Sequence, residues 1–153
     1  MYRKWGSTLT IPGSHDVTKH AKVNFDEKEE KFLQENEVCR IATSLNEVPH
    51  IAPVSYLYEG GFFFFATDYG TKKYANLIRN NNIALDVDVY GSSVDNKAVI
   101  VQGAVEIIER GSEFRRLYTI FQSRFEWVRQ DPWKEGEAPF VRVIPSRKVS
   151  WGL

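Results

Sequence analysis

The sequence is poor in the residues that most often announce a chemistry. It has one cysteine, Cys39, which excludes an intramolecular disulfide and any metal centre built on several thiolates. Histidine occurs at His15, His20 and His50 only, and a metal role for His15 or His20 needs a further ligand that the pattern does not offer. Neither sign of charge is in excess: 20 basic and 20 acidic residues cancel, so no basic field marks nucleic acid or an anionic membrane as a partner. No apolar run approaches the length of a membrane span. The opening MYRKWGSTLT lacks the apolar core of a signal peptide, and a cytoplasmic place is the expectation. There is no Ser-His-Asp series, no suggestive carboxylate pair and no nucleophilic-cysteine context.

What the chain does have is apolar and aromatic mass. Of 153 residues, 42% are hydrophobic and 14% aromatic, enough for one folded domain with a real core. The expected division is an N-terminal arm, residues 1–25, punctuated by Gly6, Pro12 and Gly13, and then a domain over residues 26–153.

The most informative stretch is Phe62–Asn80, FFFFATDYGTKKYANLIRN. Its aromatic run predicts a buried strand, Asp68-Tyr69-Gly70 a turn, and Tyr74, Leu77 and Ile78 the apolar stripe of a short helix capped by Thr71. Lys72 and Lys73 fall just inside that helix, where free amides and the dipole favour negative charge. Two readings stand: a phosphate bound at the helix start, or a solvated lysine pair on an exposed first turn. Phe62 and Phe64 share one strand face, Phe63 and Phe65 the other. One pair fills an interior. Exposing the other would forfeit several kcal/mol at ~25 cal/mol per Å². Its cover is either the chain's own helices or, the favoured reading, a second subunit.

The remaining pattern is mostly strands. Asp26–Asn36 reads as a short helix, and Val38–Leu45 as a strand with Cys39 facing the core. Asn46-Glu47 turns the chain into a strand over His50–Tyr58, whose Pro53 demands an edge, a bulge or a ligand. Ile83–Tyr90 alternates as a strand with one wet face, and Lys97–Glu109 is a long strand with Gly103 permitting a bend. A helix is expected within Glu113–Phe125, a polar loop over Val128–Ala138, and two short strands, Phe140–Ile144 and Lys148–Trp151. His50 and Tyr56 read as a structural histidine and a core tyrosine ahead of ligand-facing groups. The fold class is mainly β with inserted helices, a closed or nearly closed barrel.

The run Val38–Asp88, with RIATSL, PHIAPVSYLY and FFFFAT-x-x-GTKKYANL, resembles the flavin-binding split-barrel family typified by pyridoxamine 5'-phosphate oxidase, and VRVIPSRKVSW resembles that family's C-terminal strands. The resemblance implies a homodimer of split β-barrels with one flavin mononucleotide (FMN) in each of two interface grooves, acting on a small molecule. It implies that Thr67, Thr71, Lys72 and Lys73 hold the phosphate, that Pro53, Val54 and Ser55 run along the isoalloxazine edge, and that Trp151 reaches the partner's flavin. The family's flavin-bonding glutamine falls at Ala98, its second-strand arginine near Ile51 or Ala52, and its Arg-x-His pair would lie beyond Leu153. Pyridoxamine phosphate oxidation is therefore not expected. Two alternatives accompany the FMN reading: a deazaflavin-dependent reductase drawing on Arg79, Arg115, Arg116 and Arg124, and a non-catalytic flavin or haem binder.

Overall fold

The computed structural model describes residues 23–153. Helix α1 (Glu27–Glu35) starts on a capping box: Asp26 accepts from the Glu29 amide, and the Glu29 carboxylate accepts from the Asp26 amide. Strands β1 (Val38–Leu45) and β2 (Val48–Ser55) form a hairpin, its turn made by Asn46 and Glu47 at φ 51° and 64°. Strands β3 (Leu57–Glu59) and β4 (Phe62–Ala66) form a second, turned by Gly60 and Gly61 at φ 61° and 87°. Both turns use left-handed residues, as two-residue hairpins require. Helix α2 (Lys72–Leu77), β5 (Asn82–Val89) and β6 (Lys97–Ile108) follow, then α3 (Ser112–Arg124), α4 (Glu126–Gln130) and β7 (Phe140–Trp151).

All pairings are antiparallel, in the order β2-β1-β5-β6-β7-β4-β3. The two edge strands, β2 and β3, are separated in the chain by Tyr56 alone. A flat sheet would hold its edges far apart, so this sheet must curl until they meet. The result is the expected split barrel.

Two cores follow from the strand alternation. Inside the barrel lie Cys39, Ile41, Phe63, Phe65, Leu85, Val87, Val99, Val101, Val141 and Val143, with Leu33 of α1 plugging one side. Outside it, α3 and α4 lay Phe114, Leu117, Phe121, Phe125 and Val128 over Phe64 and Phe140. The chain's own helices therefore cover the second phenylalanine pair, and the favoured second subunit is not what buries it. A three-turn helix carrying Phe114, Leu117 and Phe121 on one stripe was sufficient.

Three other expectations change. The two C-terminal strands are one, because β7 passes Pro145 through a bulge against Gly103 of β6. A Cβ on Gly103 would collide with the Ile144 carbonyl, and Pro145 brings no amide that needs a partner. The loop expected over Val128–Ala138 has its first residues in the short helix α4. On α2, Ile78 is 55% exposed, and the fully buried neighbour of Leu77 is Asn76. The expected arm and both His15 and His20 lie outside the described residues, apart from Val23–Phe25. Phe25 packs edge-on against Tyr58 and Phe63.

Candidate functional site

The barrel opens where β2 leaves β4. The chain is one nearly continuous extended run through β2, Tyr56 and β3, but β2 pairs with β1 whereas β3 pairs with β4. Tyr56 marks the divergence: it is fully buried, its amide donates to the Glu37 carbonyl, and its hydroxyl donates to the Leu33 carbonyl at 2.6 Å. Beyond it, the free edge of β2 lies against β4 and α2 without ladder bonds to them. Pro53 sits on this edge strand opposite Arg40, where its missing amide costs no ladder bond.

Across the split, the end of β4 and the start of α2 gather hydroxyls and cations. Thr67 is buried, and its Oγ1 lies 2.9 Å from Thr71 Oγ1. Thr71 caps α2: its hydroxyl donates to the Asp68 carbonyl at 2.9 Å and accepts from the Tyr74 amide at 3.3 Å. Lys72 is exposed, Lys73 half-buried, and no carboxylate among the described residues pairs with either. Because α2 has six residues, its dipole is weak; an anion here would be held by the two ammonium groups and the hydroxyls. This donor set, with no acid salt-bridged to it, suits a phosphate.

The predicted residues thus fall into two groups. Pro53, Val54 and Ser55 line one side of the split, with Val54 turned inward onto the barrel core, so that only backbone and the two flanking side chains face out. Thr67, Thr71, Lys72 and Lys73 form the other group, between the end of β4 and the first turn of α2, which packs against β1 and β2. Trp151 stands away from the second group along the strand: Ala66 pairs with Phe140 at the opposite end of the 12-residue β7, roughly 35 Å of strand at about 3.3 Å per residue. There its Nε1 donates to the Tyr90 hydroxyl at 3.0 Å.

The outer face of the sheet links the Pro53 group to the Trp151 end of β7. Register places Pro53 in one row with Arg40, Asp86, Ile100 and Val149, while Ala98 and Trp151 pair beside Asp88. Arg40 is ion-paired to Asp88, and Asp86 Oδ1 is buried without a partner. Burial, and then the charge of Asp88, push the Asp86 carboxyl above its ordinary range against the pull of Arg40. Cys39, just beneath, is pushed up to about 12, chiefly by burial, which keeps it a thiol and excludes it as a nucleophile. His50 faces inward beside Thr43 and away from Pro53's face, with its Nδ1 buried and without a partner among the described residues.

The sequence pattern of the family described as pyridoxamine 5'-phosphate oxidase matches residues 25–151. The chain belongs to the pyridoxamine 5'-phosphate oxidase family. Among solved structures it is similar to a conserved hypothetical protein from Mycobacterium tuberculosis (TM-score 0.70, 20% identity, 86% of this chain and 87% of that one). It is likewise similar to an FAD-binding protein from Mesorhizobium loti (TM-score 0.66, 20% identity, 82% and 94%). A third similar structure is HutZ, the haem storage protein of Vibrio cholerae (TM-score 0.70, 14% identity, 83% and 94%). At such identities the likeness establishes the fold alone. No curated protein matches the chain. No described helix is long and apolar enough to cross a membrane.

Two features of the site were not anticipated. Glu29 of α1 is buried and bonded to Lys148 and Ser150 of β7, although Asp26-x-x-Glu29 was legible as a capping box. Asn76 and Asn80 tie α2 to β1 through Thr43 and Ser44, and no periodicity marks a buried asparagine.

Proposed function

We propose that this member of the pyridoxamine 5'-phosphate oxidase family is a cytoplasmic FMN-dependent oxidoreductase acting on a small molecule other than pyridoxamine phosphate. The observation that carries the reading is the hydroxyl pair of Thr67 and Thr71 beside Lys72 and Lys73, at the start of a helix that packs against β1 and the edge strand β2. Thr67, Thr71, Lys72 and Lys73 would hold the phosphate, and the β2 edge would take the ring edge. Bound there, the flavin would supply hydride and electron transfer, with the chain providing position and charge.

A homodimer completes the site in this reading. Trp151 stands at the end of β7 remote from the position that pairs with Ala66, and in this reading it reaches the partner's flavin. The outer sheet face supports the same arrangement, since Val38 of β1 and Ile51 of β2 stand exposed on it with no described helix over them. The deazaflavin reading is weaker: Arg115 is paired to Glu135, Arg116 to Glu59 and Glu113, and Arg124 to Glu37, which leaves Arg79 alone of the four. A haem reading has only His50 among the described residues, and it faces inward.

Titration of FMN and riboflavin into the wild type and the Lys72→Ala/Lys73→Ala variant tests the reading. Each charge-assisted contact is worth roughly 1.5–3 kcal/mol, so the variant should bind FMN about a hundredfold or more weaker. Riboflavin should bind both proteins equally. Unchanged FMN affinity in the variant would place the phosphate elsewhere.

A further inference from the structure

We propose that Asn76, acting through Thr43, is the positioning residue that sets where Lys72 and Lys73 stand over the split. The inference rests on the phosphate reading above. With six residues, α2 is too short to hold its own place, so its anchors decide its pose. One anchor is Leu77, buried in the barrel core; apolar contact is non-directional and tolerates sliding and rotation. The other is directional. Asn76 Nδ2 donates to Thr43 Oγ1 at 3.0 Å in a fully buried pair, and one turn later Asn80 Nδ2 donates to the Ser44 carbonyl at 3.0 Å and to its hydroxyl at 3.2 Å.

Energetics argue that Asn76 is not there for stability. Its Oδ1 is buried without a protein partner, as is Nδ1 of His50, which faces Thr43 across the β1–β2 ladder. An orphaned buried acceptor costs a structure that an apolar side chain of the same size would not. What the amide supplies, and a leucine would not, is a fixed angle of α2 about the β1 strand. Lys72 and Lys73 lie one turn before Asn76 on the same rigid segment, so a rotation of α2 carries both ammonium groups with it.

The decisive variant removes both partners together. Asn76→Leu/Thr43→Val replaces a bonded polar pair by apolar groups of similar shape, a change that can be nearly neutral for stability. Its melting temperature should stay close to wild type while FMN affinity falls about tenfold and riboflavin affinity holds. Thr43→Val alone should weaken FMN selectively, and Thr43→Ser, which keeps the hydroxyl, should restore it; this pair carries the test if the double variant does not fold. Equal loss of FMN and riboflavin, or retained FMN affinity in a folded Thr43→Val protein, overturns the inference. The Lys72→Ala/Lys73→Ala variant separates the two levels. If it loses FMN while the Thr43→Val protein does not, only the positioning role fails. If it keeps FMN, the phosphate reading fails and this inference with it.

Discussion

The two sides of one curled sheet are finished in opposite ways. On the β3-β4-β7 side, α3 and α4 close the outer surface, and Phe64, Phe114, Phe121 and Phe140 pack into a second core in which the Phe140 ring centroid lies 5.1 Å from Phe114 and 5.0 Å from Phe121. On the β2-β1-β5 side no described helix covers the outer surface: Ile51 is 66% exposed, Pro53 is exposed, and Asp86 carries an unpaired buried oxygen. Aromatic mass is therefore no guide to where a partner docks in this chain. The aromatic side is self-sufficient, whereas the side with modest aliphatics, prolines and an Arg40–Asp88 pair is unfinished. Of the candidate cofactor residues, Pro53–Ser55 belong to the unfinished side, whereas Thr67 and Thr71 follow β4 of the closed one.

The contrast is broken most directly from the closed side. Phe121→Ala should destabilise the protein by about 3–5 kcal/mol, as for other fully buried phenylalanines, with a matching fall in denaturation midpoint. A loss under 1 kcal/mol would mean that the α3 core is loosely packed and not self-sufficient.

A smaller loss is expected at Glu29, where α1 meets β7. Burial alone would raise its pKa, but hydrogen bonds from Lys148, Ser150 and the Asp26 amide, with the Lys148 charge, outweigh burial and lower it. A carboxyl with a depressed folded pKa stabilises above its unfolded value, near 4.3, and the contribution is lost as pH falls through the folded value. Glu29→Gln should thus cost roughly 1.5–3 kcal/mol at pH 7 and progressively less in acid. A pH-independent deficit would show that the charge is not what matters.

On the open side the expected effect moves from stability to assembly. Ile51→Glu should alter chain stability by no more than about 0.5 kcal/mol while shifting a dimer to a light-scattering mass near one chain, 17.7 kDa. A wild type already at that mass would remove the second subunit from the site altogether.

The smallest effect belongs to Asp86. Its folded pKa is raised, so ionising it costs stability, and that cost is absent below the unfolded value near 3.9 and grows as pH rises through the folded one. Asp86→Asn should raise the melting temperature slightly at pH 7 and leave it unchanged in acid. A lower melting temperature at pH 7 would mean that attraction to Arg40 outweighs burial.

Much of the molecule was legible along the chain because it rests on local rules. The Asn46-Glu47 and Gly60-Gly61 turns, the inward Cys39 and Ile41, the bend at Gly103 and the Phe114-Leu117-Phe121 stripe all follow from backbone freedom and side-chain period. The grouping of Thr67, Thr71, Lys72 and Lys73 was equally local, since one turn and the start of one helix contain all four. Other features were decided between distant segments. Which helix would cover Phe64, whether Pro145 would end β7, and that Asn76 rather than Ile78 would be buried each depended on what tertiary packing brought alongside. Strand period says that a face must be covered, but only the curl of the sheet, which carries β2 round to β4 and turns α2 onto Thr43, determines by what.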